Sequence, residues 1–247
     1  MIDTHCHIDL YKSPLEVAKA CESHKLSTVA VTYLPSHYRM AEQHLKGFRY
    51  VRPALGMHPL AAKEHRREMI AFKRLVDRTD LIGEIGLDFS PQGCSTKEVQ
   101  LETFTSALEV IRARKRFVSL HSRRAEDDVL QRLKAAGIER AVFHWFSGSH
   151  AQLIRIIDGG HYLSINAEMI RGPKWSKYIR LVPKDRILTE SDGPFAKTGG
   201  KPVTPTSVSA VVSWLANNWS DSPAEVEERI RNTFEGLVEG IFPEGGG

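Results

Sequence analysis

The amino-acid sequence predicts an α/β fold, a closed TIM (β/α)8 barrel. About eight short runs rich in β-branched and aromatic residues alternate with longer amphipathic stretches along 247 residues. Parallel strands joined by right-handed helical crossovers form a closed barrel when about eight such units occur in roughly 250 residues. The alternative is an open doubly wound sheet. That fold needs a Gly-rich phosphate turn after the first strand, where this chain has His-Ile-Asp-Leu-Tyr at 7–11.

The elements follow one another in a regular order. The predicted strands are 2–8, 27–34, 51–57, 80–87, 117–121, 141–145, 162–166 and 186–190. The predicted helices are 14–25, 64–78, 96–115, 126–136, 150–158, 205–218 and 223–240. The longest irregular stretch is 192–204, which is rich in Gly and Pro.

Composition favours one globular domain over residues 1–242. The chain is 41% hydrophobic and 26% charged, which is typical of a protein with a substantial core. We find no internal repeat and no linker that divides the chain. Residues 243–247 end in three glycines, and we expect them to form a flexible C-terminal tail.

Composition also excludes several classes of protein. No apolar run approaches the length of a membrane span, and Met1 leads directly into a polar-punctuated strand rather than a signal peptide. We therefore expect a cytoplasmic location and no membrane association. Three cysteines, Cys6, Cys21 and Cys94, lack Cys-x-x-Cys spacing, which argues against a disulfide framework or a zinc ribbon.

The first strand carries two histidines that suit a metal ion. His5 and His7 are separated by one residue, so both side chains project from the same face of a strand, with Cα atoms about 6–7 Å apart. Their rings can converge on one cation. An isolated His-x-His pair is as often incidental, so the rest of the chain has to supply further ligands.

Further ligand-type residues stand at the C-terminal ends of later strands. In a barrel these ends surround one mouth, where barrel enzymes build their active sites. Burying several such groups without partners is costly, so we expect them to share a function. The residues are His5, His7, His58, Glu84, His121, His144, Glu190 and Asp192.

Imidazole and carboxylate ligands without thiolate suit zinc, manganese, iron or magnesium. There are too many ligands for one tetrahedral ion, so we predict two divalent metal ions. His5 and His7 bind one ion, His121 and His144 the other, and Glu84 bridges them. Asp192 completes the first site and is the expected general base toward a water that the ions activate. The reaction class is metal-assisted hydrolysis.

Charge placement gives the best indication of the substrate. The formal net charge is only +4, but basic residues recur in loops expected on the catalytic face, a pattern that favours polyanions. They are Lys63, His65, Arg66, Arg123, Arg124, Arg171, Lys174, Lys177, Lys197 and Lys201. Solvated loops often carry such residues without any ligand. Trp145, Phe146 and Trp175 could stack on unpaired bases or belong to the core.

Six motifs, in order along nearly the whole chain, resemble those of the TatD family of metal-dependent deoxyribonucleases. They are Asp-Thr-His-Cys-His at 3–7, Gly-Met-His-Pro at 56–59, Gly-Glu-Ile-Gly-Leu-Asp at 83–88, Leu-His-Ser-Arg at 120–123, Phe-His-Trp-Phe-Ser-Gly at 143–148 and Thr-Glu-Ser-Asp-Gly-Pro at 189–194. The resemblance implies a TIM barrel of the amidohydrolase-like superfamily. It also implies hydrolysis of DNA phosphodiester bonds with divalent metals, often as a 3′ exonuclease on single strands.

By motif position, the metal ligands of that family fall on His5, His7, Glu84, His121, His144 and Asp192. His58, Asp88 and Glu190 stand where the family has further active-site residues. We accordingly expect Asp192, Glu84 and Glu190 to be catalytic. We expect substrate contacts from His58, Asp88, Arg123 and Lys197.

Some segments differ from the usual family pattern. The chain has Gly193 and Phe195 where the family commonly has Ala and Tyr, and the following loop lacks the usual Arg-Asn-Glu-Pro. The segments 90–94 and 144–149 are most similar to the QatD subgroup, TatD-like members of a bacterial antiphage defence cassette. That similarity implies a role in phage defence and partners among the other Qat proteins.

Two other functions remain open from the sequence. A small-molecule amide, lactone or phosphoester hydrolase could use the same barrel. However, no lysine stands at the fourth strand end to become a carboxylated bridging ligand, because Glu84 occupies that place. The chain could also be a defence-complex subunit whose barrel mainly docks partners, although an intact ligand set argues against a purely structural role.

Overall fold

The structure is a computed structural model, and it describes residues 1–243. The chain divides into two compact units. The first unit contains residues 1–30, 42–52 and 164 onward, and the second contains residues 31–41 and 53–163. The single domain expected over 1–242 stays a prediction. Residues 244–247 of the expected tail lie outside the described residues.

Eleven strands occur among the described residues. In chain order they are β1 (Ile2–Cys6), β2 (Ser27–Ala30), β3 (Val51–Pro53), β4 (Leu55–Met57), β5 (Leu81–Gly86), β6 (Phe117–His121), β7 (Val142–Phe143), β8 (Tyr162–Ile165), β9 (Ile187–Thr189), β10 (Lys197–Thr198) and β11 (Lys201–Pro202).

Nine α-helices lie within residues 1–243. They are α1 (Pro14–Ser23), α2 (Pro35–His44), α3 (Ala62–Leu75), α4 (Lys97–Ile111), α5 (Glu126–Ala136), α6 (His150–Asp158), α7 (Pro173–Tyr178), α8 (Val208–Trp219) and α9 (Pro223–Leu237).

Every predicted strand and helix has a counterpart, and α5 and α6 have the predicted bounds. The run predicted as one strand over 51–57 is interrupted at Ala54 and forms β3 and β4, since Pro53 has no amide proton to continue a ladder. Helices α2 and α7 and the β10–β11 hairpin were not predicted. Among the residues of α2 only Pro35 and Tyr38 are buried, so its sequence lacks an apolar stripe.

Local sequence explains where several helices begin and end. Helix α6 begins with a capping box in which Ser149 and Gln152 exchange side-chain and backbone hydrogen bonds. Helix α9 begins in the same way with Ser222 and Glu225. Helix α5 ends at Gly137, which has the left-handed backbone conformation that terminates many helices.

In the first unit, β1 lies between two neighbours. It pairs in parallel with β2, with Ile2 opposite Ser27. On its other side, the Asp192 amide donates to the carbonyl of His5 over 2.9 Å, directly after β9. The C-terminal ends of β1 and β9 therefore lie side by side. All residues of β1, β2 and β9 are buried.

In the second unit, β4, β5, β6, β7 and β8 lie side by side in this order and pair in parallel. Every residue of β4, β5 and β7 is buried, as expected for parallel strands covered on both faces. Since these strands run in the same direction, their C-terminal ends share one edge.

The helices within residues 1–243 include none with the length and apolar composition of a membrane span.

Candidate metal centre

In the second unit, four polar side chains meet at the C-terminal edge of the parallel strands. His58 follows β4, Glu84 lies in β5, His121 ends β6 and His144 follows β7. Register brings β5 and β6 together at Gly86, which pairs with His121. A Cβ atom on Gly86 would lie 2.0 Å from the carbonyl oxygen of His121, so only glycine permits this close pairing.

Glu84 is the centre of this cluster. Its Oε1 atom lies 2.5 Å from His121 Nδ1 and 2.8 Å from His144 Nε2. Its Oε2 atom lies 3.2 Å from His58 Nε2. The glutamate is 1% exposed, so its charge is removed from water and held among three imidazole rings. Buried charge requires such compensation by a proton, a donor or a cation.

The ring of His58 has a defined orientation. Its Nδ1 atom accepts a hydrogen bond from the Leu60 amide over 3.1 Å, so in the neutral ring the proton is on Nε2, which faces Glu84. Tyr33 stacks on the His58 ring, with ring centroids 4.1 Å apart and planes within 8° of each other. Sequence reasoning missed Tyr33, because it follows β2 without a recognisable motif.

His65 holds the backbone of His58 by a hydrogen bond. Its Nε2 atom donates to the carbonyl of His58 over 2.9 Å, and its Nδ1 atom lies 2.7 Å from Thr103 Oγ1 on α4. His65 is 1% exposed, and burial lowers its pKa although the bond to His58 opposes this effect. The expectation that His65 belongs to a basic substrate-facing surface is therefore wrong, because helix α3 turns it into the interior.

Asp88 holds the other side of the His121 ring. Its Oδ2 atom lies 2.8 Å from His121 Nε2, and its Oδ1 atom accepts from the Ser90 amide over 2.8 Å. Burial alone would raise the pKa of Asp88, but the hydrogen bonds from His121 and Ser90 outweigh it and lower the pKa to about 2. Burial alone would lower the pKa of His121, but the charge of Glu84 and the bond to Asp88 raise it above its usual value.

A second cluster lies in the first unit, where β1 and β9 end. The Nε2 atoms of His5 and His7 are 3.3 Å apart, and each lies 3.6 Å from Asp192 Oδ1. All three side chains are buried. Asp192 has a φ angle of +46°, in the left-handed region that non-glycine residues seldom adopt. The alternation of β1 thus brings both rings to one carboxylate, as the sequence predicts.

The turn after Asp192 is closed by Tyr11. The carbonyl of Gly193 accepts from the His7 amide over 2.9 Å, and the Tyr11 hydroxyl donates to the carbonyl of Val203 over 2.6 Å. A Cβ atom on Gly193 would lie 1.8 Å from the Tyr11 hydroxyl oxygen. The glycine is therefore required for Tyr11 to reach Val203.

Two further carboxylates surround this cluster. Asp3 Oδ1 accepts from the amides of His5 and Ser191, and burial raises the pKa of Asp3 to about 7 against the effect of these bonds. Glu190 is fully buried and accepts from the Ser164 hydroxyl and, over 3.0 Å, from Asn166 Nδ2. The sequence identified Glu190 but not its partners, Ser164 and Asn166.

Both clusters have the chemistry of a divalent-metal site. Each combines imidazole nitrogen with carboxylate oxygen and lacks thiolate, as expected for zinc, manganese or iron. In the second unit, ligand atoms of His58, Glu84 and His121 all lie within 4.8 Å of one another, a spacing that could hold an ion. The residues present therefore fit a bound cation.

Most of the residues predicted to bind a polyanion are exposed to solvent. Apart from His65, the other nine members of the basic set are exposed, including Arg123 after β6 and Lys197 in β10. The stacking role considered for Phe146 and Trp175 is wrong, because these side chains are only 1% and 3% exposed and belong to the core. Trp145 is partly exposed.

Solved structures share this fold over nearly the whole chain. The structure of YjjV, a TatD homologue from Escherichia coli, aligns with a TM-score of 0.86 at 24% identity, covering 96% of this chain and 97% of that one. A TatD family hydrolase from Entamoeba histolytica aligns with a TM-score of 0.82 at 16% identity, covering 97% and 98%. The predicted α/β fold, an amidohydrolase-like TIM (β/α)8 barrel, is confirmed.

Sequence comparison identifies the family. The metal-dependent hydrolase YcfH of Escherichia coli is 30% identical, with 87% of each chain covered. Deoxyribonuclease TATDN3 of Homo sapiens is 27% identical, with 78% of each chain covered. The family model described as TatD related DNase matches residues 2–239. This protein therefore belongs to the TatD-related DNase family of metal-dependent hydrolases.

Proposed function

We propose that this protein is a metal-dependent deoxyribonuclease that hydrolyses phosphodiester bonds of single-stranded DNA from the 3′ end. The observation that carries the proposal is the buried Glu84 carboxylate, which contacts the ring nitrogens of His58, His121 and His144. Such a donor set suits a divalent cation rather than a nucleophile. Membership of the TatD-related DNase family makes a DNA phosphodiester the favoured substrate.

Each unit offers its own set of candidate metal ligands. His5, His7 and Asp192 would hold one ion, and Glu84, His121 and His144 would hold another. When bound, divalent ions neutralise phosphate charge and lower the pKa of water. The bridging role of Glu84 stays a prediction from the sequence. Electron paramagnetic resonance of the manganese-loaded protein tests it, because two ions that share a bridge give coupled spectra.

The remaining groups supply proton transfer and orientation. Asp192 is the proposed general base, with its Oδ1 atom receiving the proton of the attacking water. His58 presents its Nε2 proton, which is suited to donate to an anionic oxygen. Glu190, held by Ser164 and Asn166, is proposed to act beside Asp192, after the end of β9. Asp88 fixes His121, and Arg123 and Lys197 are proposed to contact the phosphate backbone.

Incubation with labelled nucleic acids tests the proposal. Purified protein is supplied with magnesium, manganese or zinc and given 3′- or 5′-labelled single-stranded DNA, duplex DNA, RNA and bis(p-nitrophenyl) phosphate. We expect stepwise release of nucleotides from the 3′ end of single-stranded DNA, and its loss with EDTA. The Glu84→Gln variant should lose at least about a hundredfold in kcat, by analogy with other electrostatic groups. The exposed Glu102→Gln on α4 is the matched control.

Other outcomes identify the alternatives. Hydrolysis of the small phosphodiester without cleavage of any nucleic acid would overturn the nuclease proposal in favour of a small-molecule hydrolase. Bound metal with no turnover of any substrate would favour a subunit that docks partners.

We further propose that the nuclease belongs to the QatD subgroup and acts in phage defence with other Qat proteins. The support is the sequence of segments 90–94 and 144–149. Plaque assays on cells that carry the complete cassette test this role. Glu84→Gln should abolish protection against phage while Glu102→Gln retains it. Equal protection by both variants would overturn a catalytic role in defence.

A further inference from the structure

One exposed aromatic ring lies directly beside a candidate metal ligand. Phe195 is 44% exposed, and its ring meets that of His7 edge to face, with centroids 5.1 Å apart and planes at 82°. Among the described residues, seven large apolar side chains are exposed, and Phe195 is the only aromatic one of the seven. A ring beside the reacting centre is suited to contact substrate.

The backbone holds Phe195 in place. Its amide donates to the carbonyl of Asp192 over 2.9 Å, and the Ala196 amide donates to the same carbonyl over 3.1 Å. The amide of Val203 in turn donates to the carbonyl of Ala196 over 3.0 Å, which closes the loop. Ala196 itself is fully buried and anchors the segment. Because the backbone that carries the ring is already ordered, less entropy is lost when a ligand covers the ring.

Positive charge continues from Phe195 along the hairpin formed by β10 and β11. Lys197 and Lys201 lie in its two strands and are exposed. The exposed Arg171 donates to the carbonyl of Lys197 over 3.4 Å and adds a third cation. One acidic group lies here, since Glu168 accepts from the Lys197 amide. The segment thus joins an aromatic ring to a mainly cationic strip, the combination that binds single-stranded nucleic acid.

We propose that Phe195 stacks on the base of one of the two nucleotides that flank the scissile phosphate, while Lys197 and Lys201 contact the adjacent phosphates. This inference rests on the proposed nuclease function. A paired base cannot offer its face to a side chain, so the stacking residue selects unpaired strands. Phe195 is therefore a specificity-determining residue, and it takes the role that the buried Phe146 and Trp175 cannot perform.

Steady-state kinetics on two substrates test the stacking. For Phe195→Ala, kcat/KM toward single-stranded DNA should fall about tenfold relative to kcat/KM toward bis(p-nitrophenyl) phosphate, which has no nucleobase. Phe195→Trp should restore the ratio, whereas Phe195→Leu should not, because leucine keeps the apolar surface without the aromatic face. Ile70→Ala is the matched control, since Ile70 is a 61% exposed apolar residue of α3.

Abasic substrates locate the base. Two oligonucleotides are compared, one with an abasic residue at the 3′-terminal position and one with it at the penultimate position. The native protein should cleave one of them more slowly than the intact strand, and that one identifies the stacked base. In Phe195→Ala the same abasic residue should lower kcat/KM hardly any further, because the stacking contact is already absent. Lys197→Gln and Lys201→Gln should each reduce the slope of log K against log salt by about 0.7.

The two proposals fail in different ways. If native protein cleaves single-stranded DNA and Phe195→Ala cleaves it equally well relative to the small diester, stacking is overturned and the nuclease proposal stands. Stacking would also be overturned if an abasic residue lowered kcat/KM as much in Phe195→Ala as in native protein. If native protein cleaves no DNA, both proposals fall.

Discussion

Glu84 Oε1 and His121 Nδ1 lie 2.5 Å apart although 37 residues separate them in sequence. The contact exists because β5 and β6 pair in parallel, with Gly86 opposite His121. The other nitrogen of the same ring faces Asp88 at 2.8 Å. One imidazole is thus held between a proposed ligand and a carboxylate that orients it, an arrangement that often supports a metal-binding histidine.

Replacing Asp88 with alanine should weaken metal binding without removing a proposed ligand. The His121 ring would lose the acceptor that orients it, so we expect metal affinity to fall about 10- to 100-fold. Isothermal titration of the metal-free protein with zinc or manganese measures this change. Asp158→Ala, at the exposed end of α6, should bind as native protein does. Unchanged affinity in Asp88→Ala would show that Asp88 does not support the ligand.

Removing bound metal should lower the thermal stability of the protein. An ion that binds only the folded state adds about 2.7 kcal/mol to the free energy of unfolding at a hundred times its Kd. Thermal melts with EDTA and with added metal measure the shift in Tm. In Glu84→Gln the stabilisation by metal should be smaller, because the carboxylate that contacts three histidines becomes neutral. An equal shift would mean that the metal binds without Glu84.

Replacing Gly193 with alanine should destabilise the turn after Asp192. The new methyl group would meet the Tyr11 hydroxyl at 1.8 Å, and such overpacking costs about 1–3 kcal/mol. Tyr11→Phe alone should cost about 1 kcal/mol, because it loses the bond to the Val203 carbonyl. Urea unfolding measures both.

The double variant should be less destabilised than the sum of the single variants, because removing the hydroxyl makes room for the methyl group. Strict additivity would contradict the proposed conflict between these two positions.

His65 should make folding stability depend on pH. Burial lowers the pKa of His65 from 6.5, so the imidazole binds a proton more weakly in the folded protein than in the unfolded chain. The resulting contribution to the free energy of unfolding is fully present above pH 6.5 and is lost as the pH falls below that value. Melting of the metal-free protein between pH 7.5 and 5.5 should therefore show a smaller decrease in Tm for His65→Gln than for native protein.

The exposed His24 provides the control for this measurement, because His24→Gln should retain the native pH profile. A profile of His65→Gln identical to that of native protein would contradict the assignment.

The candidate ligands were predictable because the signal is local. A histidine pair at i and i+2 on an apolar strand, and carboxylates at the ends of later strands, are visible in the order of residues alone. The alternation of β1 and the parallel direction of β4 to β7 then bring these side chains to shared edges. Their grouping within each unit follows from strand geometry, without knowledge of side-chain packing.

The exposure of individual side chains was much less predictable. His65 is as polar as its neighbours on α3 but turns inward to the carbonyl of His58. Phe146 and Trp175 are buried, whereas Phe195 is 44% exposed. Composition cannot distinguish these cases, since burial depends on which elements pack against a residue.

The sequence by itself determined the alternation of strands and helices, the ligand-type residues and the family, because each follows from periodicity or from motifs of a few adjacent residues. Only the tertiary structure decided the orientation of the rings, the support of His121 by Asp88, and the exposure of Phe195 beside His7. The physical reason is that these properties depend on contacts between residues far apart in sequence. Each contact is a distance of a few ångströms that no local pattern encodes.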